Sequence, residues 1–202
     1  MVTTFRRFLV TDHEFFSDLH YRLVPLVSRL VGEPVEPTYT QMALYSRSGV
    51  LPVHLDSPNA KWTLDICLRQ SETWPIYVGR PQSWLEFDPT VEVTSAWEEF
   101  MKCEAGLDFQ PYLLEPGDAL LFASSNQWHY RDSMPATSVN AYCDLLFLSY
   151  VPQGVNKLLA PAKWGEYFSM PELKNAVRDS AGQAPADGQP KLEESPLVQG
   201  FP

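Results

Sequence analysis

Three side chains in this sequence have the chemistry and spacing of a metal site: His54, Asp56 and His129. His54 and Asp56 follow a short apolar run, and in an extended strand residues two apart point to the same side. His129 lies far along the chain, beyond a second strand-like run at 118–122, and folding could bring it back to the first pair. Two imidazoles and one carboxylate on one face of an octahedral ion leave positions open for other ligands. The three residues therefore predict a mononuclear metal site.

A second interpretation of these residues involves no metal. The chain has four histidines, and a His-x-Asp tripeptide is a weak signal by itself. His54 and Asp56 would then form a surface turn, and His129 would be a hydrogen-bonded core residue. The strand-like runs before His54 and His129 favour the metal site. His13 and His20 fall on a predicted helix, where we expect a solvated face and assign no chemistry.

The elements that would position these residues are mostly strands. Residues 61–69 alternate strictly between two faces, one of which should line a cavity. Further strands are predicted at 5–10, 38–45, 74–78, 118–122 and 139–151. A capping box at 11–14 and apolar residues at helical spacing predict a helix that is kinked or divided at Pro25 and ends near Gly32. A shorter helix is predicted at 95–102, and the fold class is therefore mainly β with flanking helices.

Six motifs in combination resemble the Fe(II)/2-oxoglutarate-dependent dioxygenases, especially their prolyl-hydroxylase-like branch. They are Leu51-Pro-Val-His-Leu-Asp, Thr63-Leu-Asp-Ile-Cys-Leu, Trp74-Pro-Ile, Pro116-Gly-Asp-Ala-Leu-Leu-Phe, Trp128-His-Tyr-Arg and Leu145-Leu-Phe-Leu-Ser-Tyr-Val. The resemblance covers about residues 40–152 and implies a double-stranded β-helix, or jelly-roll, core. It also implies that His54, Asp56 and His129 hold Fe(II).

The resemblance implies a reaction as well as a fold. In this family 2-oxoglutarate and O2 are cosubstrates, and oxidation of the substrate accompanies release of succinate and CO2. Hydroxylation is the usual outcome, while desaturation, epoxidation and ring closure stay open; the Asp56 ligand argues against the halogenase variant. The expected substrate is a small-molecule metabolite or natural-product intermediate. Trp62, Trp74 and Trp128 either line its pocket or fill the core.

The distal carboxylate of 2-oxoglutarate requires a cation, and arginine offers it a bidentate fork. Family members place this residue on a late strand, where this chain has Val139, Asn140 and Ala141. Arg131 is the first candidate instead, because it lies two residues after His129 and would turn to the same side. Arg69 is the second candidate, by resemblance to branches that use a basic residue on that strand.

Two features of this anchor are left open by the sequence. Arg131 could instead form a structural salt bridge, with Asp132 or Asp118 as partner. Tyr45 matches a family tyrosine that hydrogen-bonds the same carboxylate, and it could equally be a core residue.

The composition fits one cytoplasmic domain with a substantial core. A net charge of −10 and a pI near 4.8 argue against a nucleic-acid partner. Three cysteines without a Cys-x-x-Cys pair indicate reduced, buried thiols, and we expect neither a signal peptide nor a membrane span. The domain is predicted over 1–178, with C-terminal helices and a flexible tail at 179–202. A homodimer remains one option for the assembly.

Two other classes of function remain compatible with such a barrel. One is a cupin-like metalloenzyme that uses no 2-oxoglutarate, although cupins usually recruit three histidines and a glutamate. The other is a non-catalytic jelly-roll module that binds a ligand in the same pocket. The presence of His54, Asp56 and His129 together argues against the second class.

Overall fold

Two antiparallel sheets face each other in the computed structural model, which describes residues 4–83, 95–135, 139–158 and 163–171. The larger sheet has the order β1-β2-β9-β4-β7 and the smaller sheet has the order β3-β8-β5-β6. The strands are β1 (Arg7–Thr11), β2 (Val35–Ser46), β3 (Leu51–His54), β4 (Trp62–Gln70), β5 (Ile76–Pro81), β6 (Gln110–Tyr112), β7 (Ala119–Phe122), β8 (Gln127–Arg131) and β9 (Tyr142–Pro152). The sheets pack as the two halves of a jelly roll, as the sequence predicts.

The central strand of the larger sheet is β9, which is buried on both faces. It pairs with β2 on one side and with β4 on the other. Leu146, Leu148 and Tyr150 pack towards a helix outside the sheet, whereas the alternate residues Leu145 and Phe147 belong to the interior between the sheets. A strand covered on both faces has no polar side, which explains the long apolar run in the sequence.

Helix α1 (Glu14–Val31) covers the outer face of the larger sheet. It continues through Pro25 as one helix, so the predicted division into two segments is wrong, and a kink at Pro25 stays a prediction. Its first turn is capped by His13, whose Nδ1 accepts a hydrogen bond from the amide of Phe15 over 3.2 Å, and not by the predicted capping box. The helix ends at Gly32, whose left-handed backbone (φ 76°) permits the C-cap as expected.

The predicted solvated position of His20 is also wrong. Its side chain is 4% exposed, because it lies on the face of α1 that packs against the sheet between Phe16 and Leu23. The ring Nε2 hydrogen-bonds the carbonyl of Ser149 over 2.9 Å. Burial lowers the pKa of His20, and the neutral ring therefore belongs to the structure of the helix–sheet interface.

Helix α2 (Ser95–Cys103) lies against the outer face of the smaller sheet. Trp97 on this helix meets Trp128 of β8 edge to face, with ring centroids 5.5 Å apart. Since Trp128 and Tyr130 point outwards towards this layer, their neighbours His129 and Arg131 point inwards. The helix thereby fixes which face of β8 is available to the interior.

The three cysteines differ in their exposure to solvent. Cys67 and Cys143 are buried and Cys103 is exposed, and all three are free; the expected burial is therefore wrong for Cys103.

After β9 the chain forms a 3-10 turn (Val155–Lys157) and a short helix α3 (Trp164–Tyr167). The part of the predicted C-terminal helices beyond residue 171 and the predicted tail at 179–202 lie outside the described residues.

No helix in the described part of the chain combines the length and the apolar character needed to cross a lipid bilayer.

Candidate metal centre

The structure brings His54, Asp56 and His129 together between the two sheets. One ligand atom from each residue lies within 4.8 Å of the other two. The Oδ1 atom of Asp56 is 3.6 Å from Nε2 of His54 and 3.9 Å from Nε2 of His129. The two imidazole rings are 4.1 Å apart between centroids. Three donors that converge from one side can hold one octahedral cation and leave its other positions open.

Both imidazoles are oriented by the backbone of their own strands. Nδ1 of His54 hydrogen-bonds the carbonyl of Pro52 over 2.8 Å, and Nδ1 of His129 hydrogen-bonds the carbonyl of Gln127 over 2.9 Å. A carbonyl only accepts, so each Nδ1 carries the proton and each Nε2 lone pair points to the centre. Such contacts fix the tautomer and the ring direction of metal-bound histidines.

His54 and His129 come from neighbouring strands and face each other in register. β3 pairs with β8 so that His54 lies opposite His129, while Leu51 lies opposite Arg131. The register shifts between these two pairs, because β3 has one more residue in this interval than β8. This irregularity turns the His54 side chain to the same interior face as His129.

Asp56 is positioned by a loop and not by strand alternation. β3 ends at His54, and the amide of Asp56 donates instead to the carbonyl of Ser124 over 2.9 Å. The Thr63 hydroxyl lies 3.4 Å from Oδ2 of Asp56 and 2.7 Å from the hydroxyl of Ser124. Ser124 in turn donates to the carbonyl of Ala60 over 2.7 Å. These buried hydroxyls hold the carboxylate in the place that strand geometry was expected to provide.

The electrostatics of the group suit metal ligands. Burial by itself would raise the pKa of Asp56, but the adjacent imidazoles of His54 and His129 outweigh it and lower that pKa to about 2. Burial and the neighbouring His54 lower the pKa of His129 to about 3. At neutral pH Asp56 is therefore an ionised carboxylate and His129 a neutral imidazole, the forms in which both residues bind metal ions.

A pocket opens beside His54, Asp56 and His129, and all three candidate ligands line it. Its apolar lining comes from Leu51, Ile76, Phe122 and Phe147. Its polar lining, apart from the ligands, comes from Arg7, Tyr39, Gln41, Thr63 and Ser149. The Thr63 face of β4 is therefore the one that lines the cavity, whereas Trp62, Leu64 and Ile66 on the other face pack with α1.

The two arginines predicted to anchor a carboxylate already have anionic partners. Arg131 is 1% exposed, and its guanidinium binds Oδ2 of Asp65 over 2.8 Å and the carbonyl of Trp74 over 2.5 Å. Its ion-pair partner is thus Asp65, and neither Asp132 nor Asp118. Arg69 pairs with Asp144, and its side chain is 70% exposed. Neither arginine is among the described residues that line the pocket.

Tyr45 lies close to the pocket but inside the core. It is 2% exposed, and its ring packs edge to face on Trp74 with centroids 4.9 Å apart. Its hydroxyl accepts a hydrogen bond of 2.8 Å from Nη1 of Arg7, which does line the pocket. The tyrosine is therefore both a core residue and a support for a pocket cation.

The three predicted pocket tryptophans fill the core or its edges. The indole of Trp74 donates to the carbonyl of Asp132 over 2.7 Å, and that of Trp62 donates to Glu33 over 2.7 Å. Trp128 packs under α2. None of them is among the described pocket residues, so the core interpretation of these tryptophans is the one that the structure supports.

Sequence reasoning missed Arg7 and the hydroxyls of Thr63 and Ser124. The signal for Arg7 was a charged residue at the start of an otherwise apolar strand, which interrupted its alternation. The signal for Thr63 was its position on the polar face of β4. Ser124 gave no signal, because it lies in a loop whose contact with Asp56 joins residues far apart in sequence.

The fold is similar to that of several solved structures. No protein-family model matches the chain, and no curated protein matches it either. Among solved structures, EvdMO1 is similar with a TM-score of 0.54 and 19% identity, over 73% of this chain and 36% of its own. HygX from Streptomyces hygroscopicus with nickel and 2-oxoglutarate bound is similar with a TM-score of 0.52 and 14% identity, over 76% of this chain and 73% of its own.

At these identities the likeness concerns the fold alone, and this chain spans about a third of the length of EvdMO1. The expected resemblance is confirmed at that level: the protein has the jelly-roll fold of the 2-oxoglutarate and Fe(II) oxygenases. Its described residues also contain a His-Asp-His group at the pocket.

Proposed function

We propose that this protein is a non-heme Fe(II)/2-oxoglutarate-dependent oxygenase that oxidises a small molecule with release of succinate and CO2. The observation that carries the proposal is the convergence of His54, Asp56 and His129 beside the pocket. Their donor set, two imidazole nitrogens and one carboxylate, matches the ligand type of mononuclear Fe(II) oxygenases. Hydroxylation is the expected reaction, with desaturation, epoxidation and ring closure as variants.

The pocket residues would have two roles, binding of the iron and exclusion of water. Nε2 of His54, Nε2 of His129 and the carboxylate of Asp56 would hold the iron, with the backbone carbonyls behind the imidazoles fixing their direction. Bound Fe(II), with 2-oxoglutarate and O2, supplies the oxidising chemistry. Phe122 and Phe147 present apolar surface to the pocket and would exclude water from the reacting groups.

A small-molecule substrate is part of the proposal. The site is bounded by side chains of both sheets, among them Ile76 of the smaller sheet and Phe147 of the larger one. One HygX structure of similar fold, with a TM-score of 0.51, has nickel, 2-oxoglutarate and hygromycin B bound. That complex is consistent with a small-molecule substrate in a site of this kind.

The three candidate metal ligands differ from those of the cupin-like alternative. In the described residues the group consists of two histidines and one aspartate, and not of the three histidines and a glutamate that cupins usually recruit. The donor set therefore favours the oxygenase.

The first experiment is an anaerobic titration of the Fe(II)-loaded protein with 2-oxoglutarate, followed by an assay for succinate with O2. We expect a weak visible charge-transfer band in the wild type, and loss of Fe(II) binding and of succinate formation in Asp56→Ala. Asp18→Ala is the matched control, because Asp18 is an exposed carboxylate on α1 and should leave both properties intact.

Two results would contradict the proposal in different ways. Succinate formed by Asp56→Ala at the wild-type rate would refute the ligand assignment. Iron binding without any charge-transfer band would refute the use of 2-oxoglutarate and favour the cupin-like class.

A further inference from the structure

Arg7 is the one described residue lining the pocket that carries a permanent positive charge. We propose that Arg7, from the first strand of the chain, binds the distal carboxylate of the 2-oxo acid cosubstrate. This inference rests on the proposed function and adds the residue that selects a diacid. It places the anchor on β1, an edge strand of the larger sheet, and not on the late strand where the family pattern puts it.

The side chain of Arg7 is held in place by its neighbours. It is 6% exposed, although its strand lies at the edge of the sheet. Its Nη1 donates to the Tyr45 hydroxyl over 2.8 Å, and the strand pairing places Arg7 directly opposite Tyr45. The guanidinium also lies over the rings of Phe5 and Tyr45, at 5.4 and 5.6 Å from their centroids. A cation held in this way loses little side-chain freedom when an anion binds.

The charges along the pocket match a dianion. At one end, a divalent metal ion and the Asp56 carboxylate together leave one positive charge. Arg7 provides a second positive charge elsewhere along the same lining. A 2-oxo diacid would place one carboxylate at the metal and the other at the guanidinium, so each positive charge would face a carboxylate within one pocket. A monoacid has no second carboxylate to place near Arg7.

Arg131 and Arg69 are less suited to this role. The guanidinium of Arg131 is tied to Asp65 and to the carbonyl of Trp74, and it lies over the Trp74 ring at 5.1 Å. A cosubstrate carboxylate would have to compete with the buried carboxylate of Asp65 for the same cation. Arg69 is directed to Asp144 with most of its surface in solvent.

The test compares two ligands that differ in the distal carboxylate alone. Fe(II)-loaded wild type and Arg7→Met are titrated anaerobically with 2-oxoglutarate and with 2-oxopentanoate, which has the same carbon chain and no second carboxylate. The charge-transfer band reports affinity without turnover. We expect Arg7→Met to weaken 2-oxoglutarate binding by about tenfold to a hundredfold, the range for a lost charged hydrogen bond. Its affinity for 2-oxopentanoate should stay within about twofold of wild type.

Controls separate this inference from the proposed function. Arg22→Met removes an exposed arginine on α1 and should change neither affinity. If the wild type gives no band with either acid, the proposed function itself fails. If the wild type binds 2-oxoglutarate, an equal change for both acids in Arg7→Met, or no change for either, overturns the role of Arg7.

A second variant covers the case in which Arg7→Met does not fold. Arg7→Lys keeps the charge but loses the bidentate fork. It should weaken 2-oxoglutarate binding by a smaller factor and leave 2-oxopentanoate binding unchanged. Equal affinities of Arg7→Lys and wild type for 2-oxoglutarate would count against direct contact with the carboxylate.

Discussion

At the scale of single residues, the candidate metal centre depends on groups that bind no metal themselves. Each imidazole is oriented by a carbonyl two residues earlier in its own strand. The backbone of Asp56 is held by the hydrogen bond from its amide to the Ser124 carbonyl, and its carboxylate lies against the buried hydroxyls of Thr63 and Ser124. Ser124 is the centre of this arrangement, because its hydroxyl contacts Asp56, Thr63 and the carbonyl of Ala60.

Removal of this hydroxyl should therefore weaken the metal site without removing a ligand. We expect Ser124→Ala to lower Fe(II) affinity by about tenfold, the lower end of the range for groups that support metal ligands. Isothermal titration with Fe(II) under anaerobic conditions measures the change. Ser71→Ala is the control, because the Ser71 hydroxyl bonds the backbone of Tyr142 at an exposed position. An affinity in Ser124→Ala equal to that of the control would show that Asp56 needs no such support.

At the scale of elements, the turn between β2 and β3 delivers His54 to the interior. Gly49 closes this turn, with its amide bonded to the carbonyl of Ser46 over 2.8 Å and its carbonyl bonded to the amide of Met134 over 2.8 Å. A Cβ at Gly49 would lie 2.9 Å from Cδ1 of Tyr45 and 3.0 Å from the Ser46 carbonyl. Tyr45 is itself fixed between Arg7 and Trp74, so it has little room to give way.

Gly49→Ala should therefore destabilise the protein by about 1–3 kcal/mol, the usual cost of overpacking. Urea unfolding followed by tryptophan fluorescence gives the free energy of unfolding. Gly106→Ala provides the comparison, because its Cβ would meet only the Glu104 carboxylate at 3.4 Å, and we expect a change within about 0.5 kcal/mol. Equal stability of the two variants would show that the turn relaxes freely.

At the scale of the whole molecule, a buried ion pair joins the two sheets. Arg131 belongs to β8 of the smaller sheet and Asp65 to β4 of the larger sheet, and their side chains are 1% and 0% exposed. The pair is incompletely satisfied, since Oδ1 of Asp65 and Nε of Arg131 find no hydrogen-bond partner among the described residues. Such a pair adds little net stability, yet the loss of one partner leaves a buried charge without compensation.

Arg131→Met should accordingly lower the free energy of unfolding by about 3–5 kcal/mol. The double variant Arg131→Met with Asp65→Leu should recover most of this loss, because no charge then remains buried. Arg22→Met breaks an exposed pair with Asp18 and should cost about 0.5 kcal/mol or less. If the single and double variants were equally unstable, the buried charge of Asp65 would not be the cause.

Several strands and the end of α1 could be predicted from the sequence. Strict alternation at 61–69 and the apolar run at 139–151 predicted β4 and β9, because a strand shows its period or its burial directly in its residues. The left-handed glycine at position 32 gave the end of α1. The chain also contained the donor types for a metal site, and the structure brings His54, Asp56 and His129 to one place.

Local sequence patterns did not predict the burial or the partners of side chains that contact residues far away in the sequence. His20 has the sequence context of an exposed helix residue, but the sheet behind it supplies the carbonyl of Ser149. Arg131 could be assigned several partners from sequence, and only the facing of β8 and β4 selects Asp65. The same holds for Arg7, since pairing of β1 with β2 sets it opposite Tyr45 at the pocket.

The sequence by itself thus determined the types of strand and helix, the jelly-roll class and the three donors of the candidate metal centre. The strands and helices follow from periodicity and the donors from side-chain chemistry, whereas the jelly-roll class follows from the resemblance of six motifs to a known family. Tertiary structure alone decided that Asp56 bonds to Ser124 in the loop between β7 and β8 and that Arg131 forms a buried ion pair with Asp65. It also decided that Arg7 faces the pocket, because burial, partner and direction depend on which segments meet across the two sheets.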